Sequence, residues 1–242
     1  MTDGLRFRDV SLTYGSRTVL EGVSLHVAPG RVTGLVGPNG AGKTSIARLA
    51  TGFTLPTAGQ VTMDGLQARV SRMRRGVGYA PEELPRPGFG KVRALLDLRP
   101  AETADQAAFA ESVLQTLRVS ELLDTPLTAL SKGQWRVVLL AYAAQVCPRL
   151  LVLDEPESGL DPGALDRLAA LVALARDAGA AVLLLSHQLY EVERTCDRVL
   201  FVRAGTIAAE EPAGVGGAAL RHRYSEIFSQ APAPDLRRHV SR

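Results

Sequence analysis

Lysine, cysteine and asparagine are scarce in this sequence. Only three of its 28 basic residues are lysines, and one of them, Lys43, directly follows a glycine-rich stretch. Lysine is a compact point charge, whereas arginine spreads its charge over a planar group, so Lys43 is a candidate for a specific contact. The two cysteines, Cys147 and Cys196, stand in apolar, helix-like surroundings. This favours buried thiols in a reducing compartment over a disulfide.

Long uncharged apolar runs are also missing. The nearest candidate, residues 168–185, is interrupted by Arg176 and Asp177, so we do not expect this chain to span a membrane by itself. Residues 1–8 lack the apolar segment of a secretory signal. With 46% hydrophobic and 22% charged residues, an ordinary globular protein with a substantial core is expected. The net charge of +3 is too small to demand a nucleic acid as partner.

The most informative stretch is residues 37–44, which fits the phosphate-binding pattern G-x-x-x-x-G-K-[ST]. Glycines bring backbone N–H groups close to phosphate oxygens, Lys43 supplies positive charge, and the Thr44 hydroxyl suits Mg²⁺. A strand at 32–36 and a helix at 45–50 give the order that this pattern requires, which argues against a chance glycine-rich turn. The candidate phosphate-binding residues are Gly37, Pro38, Asn39, Gly40, Ala41, Gly42, Lys43, Thr44 and Ser45.

Acidic residues follow two other predicted strands. Asp154 and Glu155 come directly after a buried strand at 150–153, and Glu82 follows a short strand at 77–79. Such strand ends are where α/β sheets place ligand chemistry. One of the paired acids is expected to hold Mg²⁺ through water and the other to orient an attacking water. The alternative is a helix-capping Asp154 beside a surface glutamate.

The remaining segments suggest the architecture. Strands at 5–14, with an irregularity at Arg8–Asp9, and at 19–27 look antiparallel and separate from the parallel core. Alanine- and leucine-rich residues 91–128, followed by a helix at 135–146, read as an inserted helical subdomain. Further elements are a helix ending near 178, a strand at 181–185 followed by His187, a hairpin at 199–209, and a tail at about 213–242 that is flexible at 231–234.

Taken together, these motifs resemble the ATP-binding subunit of an ATP-binding cassette (ABC) transporter over residues 5–210. In that family residues 37–44 are the Walker A motif and residues 150–154, followed by Glu155, are Walker B. The signature, usually Leu-Ser-Gly-Gly-Gln, stands at 130–134 as Leu-Ser-Lys-Gly-Gln, shortly before Walker B. The D-loop is 158–161 and the switch histidine is His187. Tyr14, otherwise an ordinary strand tyrosine, falls where family members stack an aromatic ring on adenine.

The resemblance implies an α/β fold: a P-loop NTPase of ABC type with a RecA-like, mainly parallel sheet core, an N-terminal antiparallel β-subdomain and an inserted α-helical subdomain at about 91–146, in a single domain over 1–242. It implies ATP and Mg²⁺ as cofactors, with Thr44, Asp154 and Glu82 as metal ligands. Glu155, His187 and Glu82 would be catalytic. In a head-to-tail dimer, each ATP would also meet the partner's copies of Ser131, Gly133, Gln134 and Asp161.

The same resemblance implies partners and a location. A second ABC ATPase subunit, identical or not, and an integral membrane permease are expected, at the cytoplasmic face of the cell membrane; no nucleic acid is expected. Glu82 occupies the position of a usual glutamine, as in ATPases of drug, antibiotic and polysaccharide exporters, which indicates export. Lys132 replaces a signature glycine and should point outward. Glu157 stands where threonine is usual and has no assigned role.

Three alternatives remain to be weighed. A soluble, non-transport ABC ATPase in translation, repair or cofactor assembly would share the motifs. However, repair-type relatives insert long coiled coils and translation factors carry two cassettes. A GTPase would need Asn-Lys-x-Asp, and Asn39 is the only asparagine. A non-hydrolysing cassette is disfavoured by Glu155 and His187.

Overall fold

The computed structural model describes residues 3–73, 76–146, 148–212 and 217–229. Its N-terminal part is a four-stranded antiparallel sheet in the order β2-β1-β4-β5. The predicted irregularity in β1 is present, because the register shifts between Phe7 and Val10 and Asp9 has a φ of 49°. The strands are β1 (Leu5–Tyr14), β2 (Arg17–Val27), β4 (Ala58–Met63) and β5 (Leu66–Gln67).

The second sheet has six strands in the order β10-β9-β3-β8-β7-β6. Five of them run parallel and β10 is antiparallel to β9. Strands β7 and β8 are buried along their whole length, as the continuous apolar sequence of a covered parallel strand predicts. The strands are β3 (Arg31–Val36), β6 (Val77–Ala80), β7 (Leu150–Asp154), β8 (Ala181–Ser186), β9 (Arg198–Arg203) and β10 (Thr206–Pro212).

Helices cover this second sheet. Among the described residues no helix is long and apolar enough to cross a membrane. The predicted helical region contains α3, α4, two 3₁₀ turns (Val119–Leu122 and Leu127–Ala129) and α5, which packs against β6. The helices are α1 (Lys43–Ala50), α2 (Ala68–Met73), α3 (Val92–Leu96), α4 (Ala104–Thr116), α5 (Lys132–Ala144), α6 (Pro162–Asp177), α7 (Leu189–Thr195) and α8 (Gly217–Phe228).

The structure differs from the sequence prediction in four helices. Helix α5 begins at Lys132 rather than at 135, because Ser131 and Gln134 cap its first turn. Helices α2 and α7 were not predicted. Helix α8 lies in the region predicted as a tail, and its Leu220 side chain is fully buried. Cys196 is buried as predicted, whereas Cys147 and residues 231–234 lie outside the described residues.

Candidate functional site

The glycine-rich loop connects β3 to α1 and packs tightly on its neighbours. A Cβ atom on Gly37 would lie 2.3 Å from the Val202 carbonyl oxygen, and one on Gly42 would lie 2.7 Å from Leu20 Cδ2. Gly42 also has a φ of 109°, which a side chain would strain. Helix α1 starts at the next residue, so its N-terminus opens onto the loop. Strand, loop and helix therefore stand in the predicted order.

A cleft of about 350 Å³ lies over this loop and gathers most of the predicted residues. Glu82 and Glu155, which are 73 positions apart in the sequence, both face it. Tyr14 is not among its lining residues, whereas Arg17, the cross-strand partner of Tyr14 in the β1–β2 hairpin, is. The lining residues are Arg17, Val19, Pro38, Asn39, Gly40, Ala41, Gly42, Lys43, Thr44, Ser45, Glu82 and Glu155.

Lys43 is held inside the loop. Its side chain is almost completely buried, and Nζ donates a hydrogen bond of 2.7 Å to the Gly37 carbonyl oxygen. The same ammonium lies 3.5 Å from Glu155 Oε1. A buried ammonium is tolerated only when such partners compensate for lost water. The loop therefore presents one fixed positive charge beside the carboxylate of Glu155.

Glu155 is positioned by β8 as well as by its own strand. Its backbone has a φ of 46°, and its N–H donates to the Leu185 carbonyl oxygen at 2.9 Å. Glu155 Oε2 lies 2.6 Å from His187 Nδ1 and accepts from the His187 backbone N–H at 3.2 Å. The imidazole itself is 56% exposed. The turn after β7 and the end of β8 thus bring together the two residues that the sequence could only propose separately.

Asp154 has the features of a metal ligand. It is 1% exposed, and Oδ1 has no hydrogen-bond partner within the described part of the chain. Burial raises the pKa of Asp154, while the neighbouring Thr44 hydroxyl acts in the opposite direction. An unsatisfied, buried carboxylate oxygen beside a hydroxyl is a donor set that suits a hard cation such as Mg²⁺. Thr44 and Asp154 therefore fit the predicted metal site, and Glu82 faces the same cleft.

Glu157, which was assigned no role, is buried next to this group. Its Oε1 accepts a hydrogen bond from the Ser186 hydroxyl, whose oxygen in turn accepts from the Gln188 N–H at 2.8 Å. Burial raises the pKa of Glu157 to about 7. No pattern in the sequence signals this, because the burial arises only where the turn after β7 meets the end of β8.

The signature residues gather elsewhere. The Ser131 hydroxyl oxygen accepts from the Gln134 N–H at 3.1 Å, and Gln134 Oε1 accepts from the Ser131 N–H at 2.8 Å. Asp161 caps α6 by accepting from the Ala164 N–H at 2.7 Å. Ser131, Gly133, Gln134 and Asp161 line a separate hollow of about 290 Å³. One chain therefore does not bring them to the loop cleft.

Lys132 points outward, as expected. It is exposed, and its aliphatic stem lies over Gly159, where an added Cβ would be 3.5 Å from Lys132 Cε.

Arg136, one turn further along α5, is instead buried and bonded to loops on both sides of the site. The sequence held a signal for it: a charged residue within an apolar helix needs buried partners.

Known proteins resemble this chain along most of its length. The family described as ABC transporter matches residues 20–158. The zinc import ATP-binding protein ZnuC of Halorhodospira halophila is 37% identical over 96% of this chain and 85% of its own. The Nod factor export ATP-binding protein I of Rhizobium etli is 38% identical over 84% of this chain and 66% of its own. A solved ATP-binding subunit of an ABC transporter superposes with a TM-score of 0.82 at 26% identity, covering 91% of this chain and 99% of that one.

Proposed function

This chain belongs to the ABC transporter family as an ATP-binding subunit that hydrolyses ATP, and we propose that it powers a separate membrane permease. The observation that carries the proposal is the cleft itself. A phosphate-binding loop with a fixed lysine faces Glu155, the carboxylate that His187 contacts. Loop, acid and histidine are held by different elements, so the arrangement depends on the whole fold.

In the proposed reaction the β- and γ-phosphates lie against the loop N–H groups and the N-terminus of α1. They attract Lys43 away from Glu155, which then orients the attacking water by accepting its hydrogen bond. His187 holds the Glu155 carboxylate from the other side and contacts the γ-phosphate. Because Lys43 already lies 3.5 Å from Glu155, a small displacement of Lys43 is enough to change the environment of the base.

Thr44, Asp154 and Glu82 would hold Mg²⁺, which neutralises charge on the β- and γ-phosphates when bound. For adenine we propose stacking on the ring of Tyr14. The position of Arg17 in the cleft makes its planar guanidinium a second candidate for that contact. Both side chains belong to the β1–β2 hairpin, and Val19 and Leu20 of β2 lie against Gly42 of the loop.

A second cassette would complete the site. Ser131, Gly133, Gln134 and Asp161 lie together but apart from the loop cleft, so they are available to the ATP of a neighbouring subunit. A head-to-tail dimer would place the N-terminus of α5 against the γ-phosphate of the partner's nucleotide. We propose that closing and opening of this dimer moves the permease.

We propose that the permease docks beside the segment after β6, at the cytoplasmic face of the membrane. Leu84 in that segment and Phe53 nearby are exposed apolar side chains that line one groove of about 750 Å³. Export remains our proposal for direction, supported by Glu82 in Pro-Glu-Glu; the relatives include subunits named for import and for export. They are transporter subunits, which favours transport over a soluble role.

Replacing Lys43 tests the phosphate-binding loop. Lys43→Ala should weaken binding of Mg²⁺-ATP about 10- to 100-fold, because charge-assisted hydrogen bonds to the phosphates are lost. Titration calorimetry measures the affinity and phosphate release measures turnover. Lys91→Ala, which removes an exposed lysine paired with Asp124, is the matched control and should keep wild-type affinity. Wild-type affinity in Lys43→Ala would refute the loop assignment.

A further inference from the structure

The buried guanidinium of Arg136 connects helix α5 to the loop that contains Glu82 and to the end of β7 and the turn that contains Glu155. It lies in the second turn of α5 and is 4% exposed. Its five N–H groups have five backbone acceptors, divided between two loops. Nε donates to Pro156 and Nη2 to Asp154 and Glu155, at 3.2, 2.5 and 2.6 Å, while Nη1 donates to Pro81 and, at 3.2 Å, to Glu82. The donor capacity of an arginine is therefore fully used.

The five acceptor carbonyl groups lie just beyond the point where β6 and β7 stop pairing with each other. Strands β6 and β7 run parallel, and their last paired residues are Ala80 and Leu153. Beyond them β6 continues into the Glu82 loop, and β7, still paired with β8 at Asp154, continues into the turn that begins at Glu155. The carbonyl groups that β6 and β7 no longer pair with each other need new donors. Arg136 supplies those donors from one planar group. The backbone of Glu82 and that of Glu155 are consequently held by the same side chain.

Burial lowers the pKa of Arg136, and nearby carboxylates counteract it, with Glu157 having the largest effect among them. The guanidinium remains charged in a protein, so its placement beside these acids is electrostatically favourable. Glu157, whose pKa is raised to about 7 by burial, adds negative charge beside Arg136 when it is ionised. Lysine has three donors in a different geometry and is not an equivalent replacement.

Other side chains attach the same loop to the start of α5. Trp135 Nε1 donates to the Leu84 carbonyl oxygen at 2.9 Å, and Arg86 donates to the Leu130 carbonyl oxygen. Leu130 directly precedes Ser131, the cap of α5. Several hydrogen bonds therefore join residues 81–86 to the start of α5. A displacement of Ser131 is therefore transmitted along the first turn of α5 and through the hydrogen bonds of Arg136 to Glu155.

We propose that Arg136 is a positioning residue that couples the signature end of α5 to the backbone of Glu82 and Glu155. When Ser131 engages the partner's ATP, Arg136 fixes the position of Glu155 in its own site. The inference rests on the proposed two-subunit reaction. Arg136 is not among the residues that line the loop cleft, so its loss should affect turnover more than ATP binding.

The test replaces Arg136 with glutamine and measures kcat, KM and the ATP dissociation constant of the purified full-length chain. Misplacement of a catalytic group by about 1 Å costs up to about 100-fold. We expect kcat to fall roughly 10- to 100-fold while the dissociation constant for Mg²⁺-ATP changes by less than about threefold. Arg136→Lys, which keeps the charge and most of the volume, should also lose turnover, because it cannot reach both loops.

Arg99→Gln is the matched control. Arg99 donates to the carbonyl oxygens of Val77, Tyr142 and Ala143, at the opposite ends of the same strand and helix. The Arg99→Gln substitution should lower the melting temperature without a selective loss of kcat. Wild-type kcat in a folded Arg136 variant would overturn the inference, as would an equal loss of turnover and ATP binding. Absence of ATPase activity in the wild-type chain would instead refute the proposed reaction.

Discussion

Glu157 carries a titratable carboxyl group into the interior of the site. Its Oε1 is bonded to Ser186, and Oε2 has no hydrogen-bond partner among the described residues. Burial raises the pKa of Glu157 from 4.5 to about 7 in the folded protein. Between those values the unfolded chain has lost a proton that the folded chain retains. The contribution of Glu157 to stability is therefore greatest below about pH 4.5 and declines as the pH rises to 7.

Glu157→Gln removes this titration. We expect the melting temperature of the variant, relative to wild type, to increase as the pH rises from 5 to 7.5. Over this pH range the free energy of unfolding of the variant, relative to that of wild type, should increase by an amount on the order of 2 kcal/mol, since one pKa unit corresponds to about 1.4 kcal/mol. Calorimetry without nucleotide at several pH values measures it. Exposed Glu121→Gln is the control for losing a carboxylate. A pH-independent difference for Glu157→Gln would contradict the buried, protonated state.

At the scale of elements, α8 is one of the helices that the sequence did not predict. Its Phe228 ring lies 4.4 Å from the ring of Tyr224 and 6.5 Å from that of Phe201, between centroids. Phe201 is fully buried in β9, the strand that pairs with β3 directly before the phosphate-binding loop. Helix α8 therefore covers an edge of the core that supports the site.

Phe228→Ala tests whether α8 is an integral element. Loss of its aromatic contacts should lower the free energy of unfolding by about 2 kcal/mol, less than the loss for a fully buried phenylalanine. Chemical denaturation followed by circular dichroism measures this. Arg221→Ala, an exposed position on the same helix, should change stability by less than about 0.5 kcal/mol. Equal midpoints for both variants would mean that α8 contributes nothing to the core.

At the scale of the whole molecule, the loop cleft and the signature hollow must come from two subunits to act together. Glu155→Gln keeps the shape of the side chain but loses the charge that orients water. Hydrolysis should fall by orders of magnitude while both sites still fill with ATP, and bound ATP then favours the closed dimer by mass action. We expect this variant to be dimeric on size exclusion with Mg²⁺-ATP and monomeric without it.

The double variant Glu155→Gln, Ser131→Arg is the control for this assembly. Ser131 is exposed at the start of α5, and a bulky cation there would block its approach to the partner's nucleotide. It should remain monomeric with Mg²⁺-ATP while retaining nucleotide binding. A dimer formed by the double variant would show that the signature hollow is not part of the shared site.

The sequence by itself determined the parts of this protein whose chemistry is local. The order of strand, glycine loop and helix at 32–50 follows from apolar runs, glycines and one lysine, and the structure has it. The buried strands β7 and β8 follow from continuous apolar sequence. Family resemblance then proposed roles for Glu155 and His187, and the structure places the two side chains 2.6 Å apart.

Only the tertiary structure decided which side chains meet across these elements. Glu157 looks like an ordinary charged residue until β7 and β8 are packed, because its burial and its partner Ser186 come from the tertiary structure. The apolar sequence of α5 signals a buried Arg136, but its partners lie in distant segments that only the packing of α5 on β6 and β7 brings to it. The same holds for Arg17, which reaches the cleft through the β1–β2 hairpin. Helix α8 was missed because half of its residues are polar and its stability comes from packing on Phe201. Local pattern fixes elements, whereas long-range packing fixes the electrostatic surroundings in which they act.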